Sequence, residues 1–169
     1  MFGKRRKSQG PGGSEVCPSL RQQILHLDPA EAGLSRDAGT GDPWGFLLET
    51  GYPDVVATLV CLRDGTTSLY TDSGFGIIGG GGHESVVAAN RRLFAELEGA
   101  VAGMLPTSDE SLPETGMSVL RALTFDGHRA HRAQEADLGE GRDALAPVFR
   151  AAHDVITELR LIDEARADT

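Results

Sequence analysis

The sequence predicts an α+β fold: one antiparallel sheet built from two hairpins, each followed by a long helix, in the order ββα-ββα, layered as a sandwich. Three observations predict it. Two apolar runs lead into Asp-Gly pairs, Asp64-Gly65 and Asp126-Gly127, and this dipeptide between strand-like runs is a strong hairpin signal. Two later segments carry apolar residues at helical spacing. With 5% aromatic content and a single Trp44, the core must come from Val, Leu, Ile and Ala, a composition suited to helix-on-sheet packing.

The elements follow in order. Residues 1–17 are basic and then rich in Gly, Ser and Pro, so they cannot bury enough apolar surface to order themselves and read as a tail. Residues 18–42 hold a short amphipathic helix, with Leu20, Ile24 and Leu27 at i, i+4, i+7, ended by Pro29 and followed by an aperiodic linker. A single domain is expected over 43–165. Within it "PWGFLLETG" predicts one or two helical turns from Pro43 to Gly51, and "VVATLVCL" a buried strand. With Asp64-Gly65 as a two-residue turn, Val60 opposes Leu69, Leu62 opposes Thr67, and Leu59 pairs with Tyr70. An isolated hairpin is marginal in water, so the two hairpins should join in one sheet.

The clearest helix starts after the glycines. Val86, Asn90, Leu93, Leu97, Val101 and Met104 form one stripe that ends before Pro106. "MSVLRALTF" then predicts a strand, Asp126-Gly127 a second turn, and "HRAHRAQEA" a polar return strand at a sheet edge. The last helix carries Leu145, Val148, Phe149, Ala152, Ile156, Leu159 and Ile162 on one stripe.

This order of elements resembles the roadblock, longin and profilin-like group of small α/β sandwiches over roughly residues 43–162. The resemblance implies a non-enzymatic dimerisation or scaffolding module. The stretches "LLETGYPDVVATLVCLRDGTTSLYTDSGFGIIGGGGHES" and "LAPVFRAAHDVIT" are also similar to stretches of small bacterial proteins, a likeness that implies no chemistry.

Charge narrows the function classes. The net charge is −9 and the pI near 4.9, whereas binding nucleic acid needs a clustered positive surface. Lys4, Arg5, Arg6 and Lys7 precede every acidic residue, so residues 8–169 carry −13. That basic tail could touch anionic lipid at about 1 kcal/mol per residue, weakly without a lipid anchor or a hydrophobic helix. Cys17 and Cys61 make neither a disulfide framework nor a zinc site, and no run approaches the about 18 apolar residues of a membrane span. A reducing, cytoplasmic setting is expected, with no metal and no cofactor.

"TDSGFGIIGGGGHES", residues 71–85, is the candidate site: Gly74, Gly76 and Gly79 spell G-x-G-x-x-G between a strand and a helix, followed by Gly80, Gly81, Gly82 and His83. Such glycines allow close backbone approach to a phosphate at a helix N-terminus. Against a dinucleotide site, the preceding strand belongs to a hairpin and no acidic residue follows at the expected offset. Against a P-loop, no Lys-Ser/Thr follows the glycines. The alternatives are a structural loop that needs positive φ, or backbone N–H groups from Gly80 to His83 that hold a small anion or a carboxylate.

His128 and His131, three apart on a strand, point to opposite faces and cannot share one metal. Ser73, Ser85 and Cys61, with His83 and His153, lack the spacing of a nucleophile elbow, and His153 reads as a packing histidine. The expectation is therefore a cytoplasmic protein-association module, with a protein partner or a second copy and no catalytic residues. A nucleotide- or anion-binding domain using Gly74–Gly82 is the alternative.

Overall fold

The computed structural model describes residues 20–169. The predicted tail contacts of Lys4, Arg5, Arg6 and Lys7, and Cys17, lie outside these residues. The fold is α+β, with one antiparallel sheet of seven strands in the order β4-β3-β2-β1-β6-β7-β5. Residues 20–25 are helical (α1). The strands are β1 (Gly45–Gly51), β2 (Val56–Leu62), β3 (Thr67–Thr71) and β4 (Gly76–Ile78), then β5 (Leu105–Pro106), β6 (Met117–Thr124) and β7 (Gly127–Gln134). Helix α2 (Glu84–Ala100) lies between β4 and β5; α3 (Glu135–Gly139) and α4 (Ala146–Ala167) follow β7. The two expected hairpins are present as β2–β3 and β6–β7, joined by three strands that a ββα-ββα order does not contain.

The largest correction concerns Pro43–Gly51, expected to be helical. It contains β1, the central strand, flanked antiparallel by β2 and β6. All seven residues of β1 are buried. A strand covered on both faces reads as a continuous apolar run, which periodicity does not separate from a short helix.

Both turns also differ from expectation by one residue. In the first hairpin Leu59 pairs with Leu69, Val60 with Ser68 and Cys61 with Thr67. The loop is longer than a two-residue turn: the Leu62 N–H donates to the Thr66 carbonyl, and Gly65, at φ 95°, donates to the Leu62 carbonyl. This is the three-residue loop closed by a left-handed glycine, and the Asp64 carboxylate fixes it by accepting the Thr66 N–H at 2.9 Å. In the second hairpin Thr124 pairs with Gly127. The turn residues are thus Phe125 and Asp126, and Gly127, at φ 114°, opens β7. The return strand expected at the edge carries the two-residue β5 on its outer side.

The registers sort the strands into two faces. On one, Leu120, Leu48, Leu59, Leu69 and Ile77 lie side by side across β6, β1, β2, β3 and β4. Helices α2 and α4 cover this face. Val86, Leu93, Phe94 and Leu97 of α2 and Val148, Phe149, Ala152, Val155 and Leu159 of α4 complete its core. Asn90, the polar member of the predicted stripe, is buried and donates to the Leu62 carbonyl at 3.0 Å. On α4 the stripe centres on Val155, with Ile156 half-buried beside it.

On the other face Trp44, Leu47, Val60, Leu62, Tyr70 and Leu123 pack under Leu25 and Leu34. Residues 26–43 are thus a cover for the sheet. Leu34, inside the stretch that has no periodicity, is 3% exposed.

Candidate functional site

The glycine segment joins β3 to α2 at one end of the sheet. Gly74 (φ 101°) closes the β3–β4 turn, and Gly76 sits in β4 opposite Tyr70. Gly79 (φ 83°) precedes a 3₁₀ turn of Gly80, Gly81 and Gly82, and His83 caps α2. The reasons for glycine differ from one position to the next. A Cβ on Gly80 would stand 2.3 Å from Leu159 Cδ2, and one on Gly81 would stand 2.5 Å from the Gly65 carbonyl oxygen. The segment therefore presses against both the first hairpin turn and α4.

The expected anion cradle is partly used by the protein itself. The Gly82 N–H donates to the Gly79 carbonyl at 3.4 Å and the His83 N–H to the Gly80 carbonyl at 3.1 Å. The His83 imidazole Nε2 lies 2.9 Å from Arg166 Nη2.

The other side of this segment is an open sheet edge. Among the described residues β4 pairs with β3 alone. Ile77 turns into the helix-covered core beside Leu69. Ile78, opposite Ser68 on the other face, is 61% exposed, and Phe75 is 50% exposed. From Ser73 to Gly82 no residue carries charge, although 24% of the chain is charged. Natural sheets guard their edges with charge, Pro, short strands or bulges. Both edge strands are short, but β5 ends in Pro106 whereas β4 has neither Pro nor charge.

A second arrangement, missed in the sequence, lies on the face covered by residues 20–44. The registers bring Val119, Glu49, Thr58 and Tyr70 into one row across β6, β1, β2 and β3. Glu49 is fully buried and accepts from Arg21 through both oxygens, Nε to Oε1 at 2.5 Å and Nη2 to Oε2 at 3.0 Å. Thr58 Oγ1 donates to the same carboxylate at 3.4 Å. Arg121, 2% exposed, donates to the Asp109 carbonyl at 2.8 Å, while its Nε has no partner among the described residues.

Burial disfavours both guanidinium charges. For Arg21 the hydrogen-bonded Glu49 more than offsets this, and its pKa is raised. For Arg121, which has no such direct contact, burial prevails and its pKa is lowered, with Glu49 opposing and Arg21 adding to the shift. Arg21 Nη2 also donates to the Glu110 carbonyl at 2.7 Å, and Arg132 donates to Ser111 Oγ at 3.1 Å. Three arginines thus hold down the loop between β5 and β6. The sequence signal was a lone Glu in "FLLETG" and a lone Arg in "SVLRALT": a single charge inside an otherwise buried strand requires a partner.

The remaining candidates separate. His131 Nε2 lies 2.9 Å from both Asp143 oxygens on the helix-covered face, while His128 is on the opposite face. Cys61 is buried in the core, and burial pushes its thiol up, away from the thiolate a nucleophile needs. Ser73 Oγ lies 2.9 Å from Thr71 Oγ1. The His153 ring packs against Phe149, centroids 4.4 Å apart and tilted by 50°. Among the described residues no three His, Cys, Asp or Glu side chains gather to hold a metal ion, and no helix is long and apolar enough to cross a membrane. Comparison with models of protein families, with curated proteins and with solved structures finds no match for this chain.

Proposed function

We propose that the chain is a non-enzymatic protein-association module that pairs with a second copy of itself through the β4 edge. The observation that carries this is the uncharged stretch Ser73–Gly82, whose strand β4 has an outer edge unpaired among the described residues, with Phe75 and Ile78 exposed beside it. An open edge is a template for another strand. A chain of net charge −9 repels its own copy over most of its surface, and this edge is where the repulsion is locally absent. Antiparallel pairing of two β4 edges about a two-fold axis places the same patch on both copies and continues one sheet across them. The class of function is the one that the roadblock-like resemblance implies.

Sedimentation velocity over a wide concentration range tests the reading. The expected result is a reversible dimer, and Ile78→Lys should give a monomer with an unchanged thermal midpoint, because Ile78 lies outside the core. Wild-type protein that stays monomeric at the highest concentration, or an Ile78→Lys variant that dimerises as well as wild type, would overturn it.

A further inference from the structure

Beside the buried ion pair, a cavity of about 230 Å³ opens between α1, strands β2 and β3 and the β5–β6 loop. Drug-sized pockets run from about 300 to 1,000 Å³, so this one suits a small metabolite. Val56, Leu112 and the ring of Tyr70 give it apolar walls, Arg21 and Thr58 lie at its base, and Asp72 stands at its rim. Arg21 is 7% exposed, and its Nε and Nη2 are committed to Glu49 and Glu110. Its Nη1 has no partner among the described residues. With Nε and Nη2 committed, Nη1 is the end of the guanidinium left to donate to an acceptor held in the cavity.

The opposite charge in the lining refines the class. A simple anion would meet Asp72, the Glu49 carboxylate that already pairs with Arg21, and a chain of net charge −9, whereas a zwitterion is itself neutral and brings an ammonium to Asp72 along with a carboxylate that accepts from Arg21. We propose that this cavity binds a free α-amino acid with an apolar side chain, its carboxylate on Arg21, its ammonium on Asp72 and its side chain between Val56, Tyr70 and Leu112. The site is separate from the β4 edge, so either proposal can fail alone.

Isothermal titration of the full chain with L-leucine, L-valine and L-phenylalanine is the test, beside 4-methylpentanoate, which lacks the ammonium, and isoamylamine, which lacks the carboxylate. Binding of at least one amino acid is expected, with both truncated analogues weaker by about tenfold or more, since a site built for two charges leaves one unpaired. Asp72→Asn keeps an oxygen to accept the Val56 N–H that Asp72 Oδ1 now holds at 2.9 Å, so the fold should persist while amino-acid affinity falls. Leu112→Trp, at a residue 45% exposed, should fill the cavity and abolish the heat. No binding of any amino acid at millimolar concentration, analogue binding as tight as the amino acid, or full affinity in both variants would each overturn the proposal.

Discussion

The two faces of the sheet are closed in different ways. One is covered by two long helices and closed almost wholly by apolar side chains: Leu48, Leu59, Leu69 and Leu120 meet Leu93, Leu97, Val155 and Leu159. The other is covered by a short helix and irregular chain, and at its centre stands a buried Arg21–Glu49 pair with Arg121 beside it. A long amphipathic helix satisfies its own backbone and brings a full apolar stripe. Irregular chain brings carbonyls that need donors, and Arg21 and Arg121 supply them to Glu110 and Asp109 of the β5–β6 loop beside the cover. Where regular structure is lacking, directional polar contacts tie α1 and the β5–β6 loop to the sheet.

The charged face should therefore break hardest at its buried carboxylate, Glu49. Glu49→Ala leaves two buried guanidiniums without their counter-ion, and removing one partner of a buried pair costs about 3–5 kcal/mol. Chemical denaturation should show this loss little changed by added salt, because buried pairs are poorly screened. A loss below about 1 kcal/mol would mean that water reaches the pair and that the face is not closed as described. On the helix-covered face, Leu93→Ala removes a fully buried side chain and should cost about 2–5 kcal/mol through lost transfer energy and the cavity left behind. That loss should leave the β5–β6 loop undisturbed. Hydrogen exchange at 107–116 should accelerate locally in Glu49→Ala and not in Leu93→Ala.

The same contrast explains what was legible in the sequence. Helices α2 and α4 announced themselves because each buries one stripe and exposes the rest, so burial left a period in the residues. Both hairpins were legible because Asp64-Gly65 and Asp126-Gly127 carry turn chemistry, although one extra loop residue shifted the first register. β1 was illegible for the opposite reason: with both faces buried, "GFLLETG" has no alternation to read. The Arg21–Glu49 contact spans 28 residues between segments with no shared pattern, and only its isolated charges gave a hint. In the glycine segment the count was visible but its cause was not, since the approaches of Gly80 to Leu159 and of Gly81 to Gly65 are tertiary.

The smallest expected effect concerns His153 of α4, on the helix-covered face. Its ring lies against Phe149, and its buried Nε2 has no partner among the described residues. Burial lowers its pKa, with Glu135 and Asp154 opposing. A lowered folded-state value means that the unfolded chain takes up the proton first, at about pH 6.5. Stability is then full above that pH and declines as pH falls toward the folded-state value. His128, on the charged face, shifts in the same direction through burial and the nearby Arg121. Denaturation midpoints between pH 8 and pH 5 should fall for the wild type, less for His153→Phe, which keeps a ring against Phe149, and least when His128→Gln is added. An unchanged pH slope in His153→Phe would place the titrating groups elsewhere.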